Sequence, residues 1–320
     1  MTTMTVQPVR DDLSVGARVT GITQDDLRDT GLRAHLVELF EEHGLLIFEH
    51  VEPTPKMQVA FSTVFGPLKD HPSQAVALAE GDDLLGVIEM RHAPDEPGKV
   101  MVDGQLLSQW LPWHFDHCYN DQLNRAGVLR AVEVPPEGGL TGFVDGIALY
   151  DAVSPEVRDR IEGEMVLYAM DVILDNLRYG RPDGFVEVQA SPGAIAVMTE
   201  YENRPRAIHP AVWTRDSGEK VLHVSPWMAK GVVGRDDAEA DALLTEVCDE
   251  IVEAARGLSY HHAWKTTDMV IWDNWRILHS VSGSAPESGR CMHRSTIAGD
   301  YGLGRFEETA PASAGFTRTG

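Results

Sequence analysis

The segment Trp113-His114-Phe115-Asp116-His117 sets an imidazole and a carboxylate two residues apart. Successive side chains on a strand alternate faces, so this spacing predicts His114 and Asp116 on one side and Phe115 on the other. Side by side, the two can fill adjacent positions on one metal ion. Two ligands hold a metal loosely, and a third is expected from far along the chain. His279, in the run Ile271-Trp272-Asp273-Asn274-Trp275-Arg276-Ile277-Leu278-His279-Ser280, is the candidate. Two imidazoles and one carboxylate on one face of an octahedron, with the opposite face open, are the ligand set of non-haem Fe(II) oxygenases.

Two further residues sharpen that chemistry. Arg290 follows shortly after His279, and Thr141 follows the Gly138-Gly139 turn downstream of His114. A planar guanidinium takes a carboxylate through two parallel hydrogen bonds, and a threonine hydroxyl adds another. A metal triad beside a carboxylate clamp predicts a site for a keto acid. Asp273 and Asn274 are expected to form the turn before His279 and to orient it. His117 is expected to face away from Asp116 in a structural role. Trp110, Phe115, Tyr119 and Trp275 read mainly as core.

These residues belong to a longer series of motifs. Gly44 to Phe48, Phe65 to Pro72, Trp113 to Asp116, Gly138 to Thr141, Ile208 to Val212, Ile271 to Asn274 and Met292 to Asp300 occur in order along the chain. Together they resemble the taurine dioxygenase / TfdA-like Fe(II)- and 2-oxoglutarate-dependent dioxygenases, from about residue 36 to 300. The resemblance implies an oxidoreductase with Fe(II), 2-oxoglutarate and O2, iron held by His114, Asp116 and His279. It implies that Arg290 and Thr141 grip the far carboxylate of 2-oxoglutarate. Arg294 and His71 align with positions that hold the substrate's anionic group in sulfonate-using relatives. Halogenating relatives carry a small residue where Asp116 stands, so hydroxylation or desaturation of an unactivated C–H bond is implied, with release of succinate and CO2. A homo-oligomer is expected. The substrate stays open among a small sulfonate, a larger apolar acid such as a terpenoid or aryloxyalkanoate, and a secondary-metabolite intermediate.

The elements must now position these groups. With 320 residues, 43% of them hydrophobic, the chain can bury one large core. We expect a single domain over residues 1–302 and a flexible tail over 303–320. A strand pair in residues 1–28 precedes a helix capped by Asp29-Thr30 and stopped at Gly44, then a buried strand from Gly44 to Glu49. Thr54 and Pro55 open a second helix. Asp82 to Met90 predicts a strand and residues 91–98 a loop, inside a lid-like insertion at about 73–112; a second insertion spans about 171–207. Strands are expected at Ala126–Val134, Gly142–Asp145, His261–Trp264, Asp268–Asn274 and His293–Ala298, and a hairpin pairs His209–Arg215 with Lys220–Val224. Ala238 to Arg256 has one apolar stripe, a helix signature. Many short strands with flanking helices predict a mainly β fold, a double-stranded β-helix of jelly-roll, cupin-like form.

The net charge of −23 argues against nucleic acid and anionic membranes as partners and leaves a small molecule. No apolar run is long enough to span a bilayer, and the first residues lack a signal pattern. Three scattered cysteines point to a reducing cytoplasm. Two rivals remain at this level. A metal-bound jelly-roll could bind a small acid without turnover, although the register of Arg290 and Thr141 counts against it. A zinc hydrolase would need a positioned general base, and no Glu lies close to either motif.

Overall fold

The computed structural model describes residues 4–70, 79, 86–92 and 98–308. Its N-terminal part follows the helix and strand signals closely. Strands β1 (Thr5–Pro8) and β2 (Ala17–Thr20) pair antiparallel. Helix α1 (Thr30–His43) starts where the Asp29 carboxylate accepts from the Leu32 amide. β3 (Leu45–Phe48) is buried along its whole length, and α2 (Pro55–Phe65) is capped by Thr54 with Pro55 in its first turn. Leu36 and Phe40 of α1 and Met57 and Phe61 of α2 pack into one core with the strands beneath.

The next stretch departs from expectation. β4 (Leu68–Lys69), β5 (Val87–His92), β6 (Lys99–Val102) and β7 (Gln105–His114) are ordered strands. Of the expected strand at Asp82–Met90, residues 82–85 lie outside the described residues; the described strand runs from Val87 and takes in Arg91 and His92. Much of the described part of the 73–112 insertion is sheet, because β6 and β7 fold back on each other and extend one of the sheets.

β8 (Ala126–Glu133) and β9 (Thr141–Asp145) lead into the short helices α3 (Gly146–Ala152) and α4 (Pro155–Ile161). β10 (Met165–Tyr168), β11 (Val186–Gln189) and α5 (Pro192–Tyr201) follow. β12 (Ala207–Pro210), β13 (Val212–Thr214), β14 (Lys220–Leu222) and β15 (Ala229–Val232) precede the long helix α6 (Ala238–Leu258). The expected hairpin is smaller than read: β13 pairs β14, while β12 turns to a different sheet and pairs β10. The chain closes with β16 (Tyr260–His262), β17 (Met269–Asp273), β18 (Ile277–Ser284), β19 (Arg290–Ile297) and β20 (Arg305–Phe306). β18, which carries His279, was not foreseen as a strand. Its Ser and Gly residues weaken the propensity signal, and pairing with β7 and β9 overrides it.

Among the described residues, one large sheet runs β1-β2-β3-β17-β8-β19-β4, with β5 on the far side of β19. A second runs β11-β6-β7-β18-β9-β16, and a third runs β15-β10-β12-β20. The first two lie face to face: Leu129, Trp272 and Met292 of one share a buried cluster with Phe143 and Ile277 of the other. From β7 to β9, and again from β16 to β19, the chain alternates between the two sheets. The consequence is that residues remote in sequence meet in the space between them.

Candidate active site

His114 is the last residue of β7, and His279 pairs directly opposite it on β18. Asp116 lies past the end of β7, in a turn whose next residue, His117, has φ +59. So the strand alternation expected for His114 and Asp116 does not apply, and a turn brings them together. Asn274 fixes that turn. Its side-chain oxygen accepts from the Asp116 amide at 2.7 Å, and its Nδ2 donates to the Asp116 carbonyl at 3.0 Å. Asn274 thus orients Asp116, not the distal His279 as expected. His117 also differs from its reading, for it is buried and lines the cavity.

One ligand atom from each of His114, Asp116 and His279 lies within 4.8 Å of the others, and all three residues are buried. His114 donates Nδ1–H to the Pro112 carbonyl at 2.8 Å, which leaves Nε2 with a lone pair. His279 Nε2 stands 3.6 Å from Asp116 Oδ1, too far for a hydrogen bond, and its Nδ1 has no hydrogen-bond partner among the described residues. Burial pulls the His114 imidazole below its ordinary pKa, and burial together with the neighbouring His114 pulls His279 well below. Burial would raise the Asp116 carboxyl, but Arg294 and the imidazoles outweigh it and hold the group below the carboxylate range. Two neutral imidazoles and one carboxylate are the donor set that suits Fe(II).

Arg290 and Arg294 project from β19 into the same space, a cavity of about 360 Å³ walled mostly by apolar side chains such as Leu111, Phe115, Trp227 and Trp272. Arg290 is 5% exposed and makes one side-chain hydrogen bond among the described residues, to Gln109 Oε1 at 3.3 Å. Its Nε has no partner, and burial pushes the guanidinium pKa down to about 10. A buried cation without a carboxylate is costly, and the natural compensation is an anionic ligand. Thr141, buried at the start of β9, lines the cavity too; its hydroxyl accepts from Trp264 Nε1 at 2.9 Å. The two glycines before it have φ +73 and +64, and a Cβ at Gly139 would meet the Pro135 ring at 2.7 Å. Only glycine lets this turn lie against the Arg290 stem.

Arg294 already has a partner: its Nη2 donates to Asp116 Oδ2 at 2.7 Å. His71 lies outside the described residues. Of the aromatics read as core, Phe115 and Tyr119 line the cavity, whereas Trp110 packs on Phe185 and Trp275 under Arg125. Sequence reasoning missed Gln109, Trp227 and Met228, which carry no motif of their own.

With this geometry in place, comparison with known proteins is decisive. The family model described as "Taurine catabolism dioxygenase TauD, TfdA family" matches residues 5–296. The chain belongs to this family. As a TauD/TfdA member it is a 2-oxoglutarate-dependent dioxygenase, an oxidoreductase working with Fe(II), 2-oxoglutarate and O2. It is 29% identical over 290 residues to the (S)-phenoxypropionate/alpha-ketoglutarate-dioxygenase of Sphingobium herbicidovorans, covering 90% of this chain and 93% of that one. It is 27% identical to pentalenolactone F synthase of Streptomyces arenae, over 93% of this chain and 95% of the relative. In fold it is similar to a taurine dioxygenase from Burkholderia xenovorans, with TM-score 0.68 and 21% identity over 96% and 97% of the two chains. It is likewise similar to AAD-2 in complex with Mn(II) and N-oxalylglycine, with TM-score 0.67 and 20% identity over 93% and 98%.

A second three-residue group in this TauD/TfdA chain also has metal-ligand spacing. Glu89, Cys291 and His293 sit on β5 and β19, on the side of β19 opposite to Arg290 and Arg294. Here the hydrogen bonds rule against a metal. Arg130 Nη2, which can only donate, lies 2.9 Å from His293 Nδ1, so Nδ1 is an acceptor and the ring proton is on Nε2, toward Glu89 Oε2 at 3.3 Å. A metal on Nε2 would move that proton to Nδ1, against the Arg130 N–H. Burial also pushes the Cys291 thiol up to about 11, away from the thiolate a metal takes.

Proposed function

We propose that His114, Asp116 and His279 hold Fe(II), that Arg290 and Thr141 receive 2-oxoglutarate, and that the chain oxidises an unactivated C–H bond of a small, largely apolar organic acid. The single observation that carries this reading is the Arg290 guanidinium, buried in the same apolar cavity as the triad with no carboxylate partner among the described residues. When bound, the metal and cosubstrate supply the oxidation, consuming O2 and releasing succinate and CO2.

The chain's own residues do the rest. Asn274 holds the Asp116 turn, and Pro112 fixes the His114 ring, so the donor set is preorganised. Arg290, desolvated and with no carboxylate partner among the described residues, takes the far carboxylate of the diacid, and the Thr141 hydroxyl keeps capacity to bond it. Phe115, Trp227 and Trp272 exclude water and hold an apolar substrate body over the triad. Arg294 spends one Nη on Asp116 and has further donors for the substrate's anionic group. With the carboxylate present at position 116, the outcome is hydroxylation or desaturation.

The apolar wall favours an aryloxyalkanoate or a comparably apolar acid over a small sulfonate. Relatives named for (S)-phenoxypropionate and 2,4-dichlorophenoxyacetate support that class, and the pentalenolactone F synthase likeness supports a role in secondary metabolism. The alternation of the chain between facing sheets supports closure as a double-stranded β-helix. Three buried free cysteines fit a reducing cytoplasm, and the charge of −23 leaves a small molecule as the partner, in an assembly of identical chains. A substrate screen scored by succinate release tests the reading. Aryloxy and other apolar acids are expected to stimulate release well above taurine; a preference for taurine would overturn the substrate class, and metal binding without stimulated release would favour an acid-binding protein.

A further inference from the structure

We infer that Gln109 is a third member of the 2-oxoglutarate clamp, holding one edge of Arg290 and donating its own amide N–H to the cosubstrate's far carboxylate. The inference rests on the reading of Arg290 as that clamp.

Gln109 lies inside β7, yet its φ is +56, a conformation side-chain-bearing residues rarely adopt in the middle of a strand. The register of β18 against β7 pairs Ser282 with Trp110 and Ser284 with Ser108, which sets Gly283 opposite Gln109. Gly283 is itself left-handed at φ +74, and a Cβ there would come within 3.1–3.2 Å of Leu107, Ser108 and Trp110. Both strands therefore kink at one level. That level is tied to the Thr141 turn: Gly139 N donates to the Gly283 carbonyl at 2.6 Å, and Ser282 N donates to the Leu140 carbonyl at 3.0 Å. The kink thus joins Gln109, the turn carrying Thr141 and the level of Arg290.

The chemistry of the side chain completes the case. Gln109 Oε1 accepts from Arg290 Nη1 without neutralising it, so the guanidinium keeps its charge for a ligand. Arg290 Nε has no partner among the described residues, and Gln109 lines the cavity into which both face. An amide has two N–H donors on the same end group, and a carboxylate has lone pairs for both the guanidinium and the amide. A glutamate here would pair with Arg290 and occupy the clamp, whereas a neutral amide orients it and leaves it open.

Calorimetric titration of N-oxalylglycine into Mn(II)-loaded protein reads the clamp without turnover. Gln109→Leu is expected to weaken binding roughly ten-fold or more, and Gln109→Glu to weaken it further, as loss of a hydrogen bond to a charged group and then pairing of the cation predict. Gln109→Gly, which accepts the left-handed backbone, is expected to melt no lower than the parent and still lose affinity, separating contact from fold. The Michaelis constant for 2-oxoglutarate should rise in each variant with kcat far less affected. If Arg290→Ala weakens binding while Gln109→Leu or Gln109→Gly binds as tightly as the parent or tighter, Gln109 is a mere plug and the inference fails. If Arg290→Ala itself binds normally, the clamp reading fails first.

Discussion

The two faces of β19 carry two superficially similar groups. One side looks onto His114, Asp116 and His279; the other presents Cys291 and His293 beside Glu89. By residue type and spacing either could hold a metal. What separates them is where the protons and cations are. In the first group the rings are neutral, one Nδ1 is bound to a carbonyl, and Arg294 and Arg290 face a cavity. In the second, Arg130 and Arg91 already saturate the imidazole and the carboxylate. A ligand set is recognised by its unspent lone pairs, not by its residue list.

Four experiments break or sharpen that contrast. His114→Ala or Asp116→Ala should abolish Fe(II) binding and 2-oxoglutarate-dependent succinate formation, while His293→Gln and Cys291→Ala keep full iron content. Metal analysis of the purified variants decides it, and equal losses in both groups would erase the distinction. Next in size, Arg290→Ala should raise the Michaelis constant for 2-oxoglutarate by about a hundred-fold, the scale of a charge-assisted hydrogen bond pair. An unchanged requirement would mean that the buried cation serves something else.

The outer group should answer in stability. His293→Leu removes the acceptor for Arg130 and the donor to Glu89, and an unfolding titration should lose about 1–3 kcal/mol with iron content unaltered. Two buried imidazoles that belong to neither group, His209 and His223, supply the smallest effect at neutral pH. Burial lowers His209 to about 4 and His223 to about 3, from an ordinary value of 6.5. Between those values the unfolded chain binds more protons than the folded one, so stability is whole above pH 6.5 and falls as pH drops toward 4. For His209 the shift corresponds to about 3 kcal/mol at most. Thermal melts across that range should show the decline, flattened in His209→Gln.

Much of this was legible in the sequence because it is local. Asp29, Thr54 and Pro55 announce their helices through backbone amides a few residues away. The His114 and Asp116 spacing and the series of family motifs point to the triad from the sequence alone. What escaped depends on pairing between distant strands. β18 reads as a weak strand until β7 and β9 flank it. Asn274 looks like a turn residue of its own loop, yet its amide serves Asp116, which is remote in sequence. Gln109 has no motif at all, since its backbone is set by a glycine far along the chain. The same holds for His117, whose left-handed φ turns it into the cavity when strand alternation would turn it out.

The most direct measurement is an anaerobic titration of Fe(II)-loaded protein with 2-oxoglutarate, following the weak visible charge-transfer band of the chelate. The band should saturate at one iron and one 2-oxoglutarate per chain, vanish in His279→Ala and persist in His293→Gln. A band that survives in His279→Ala, or never forms in the parent, would contradict the assignment of the inner group.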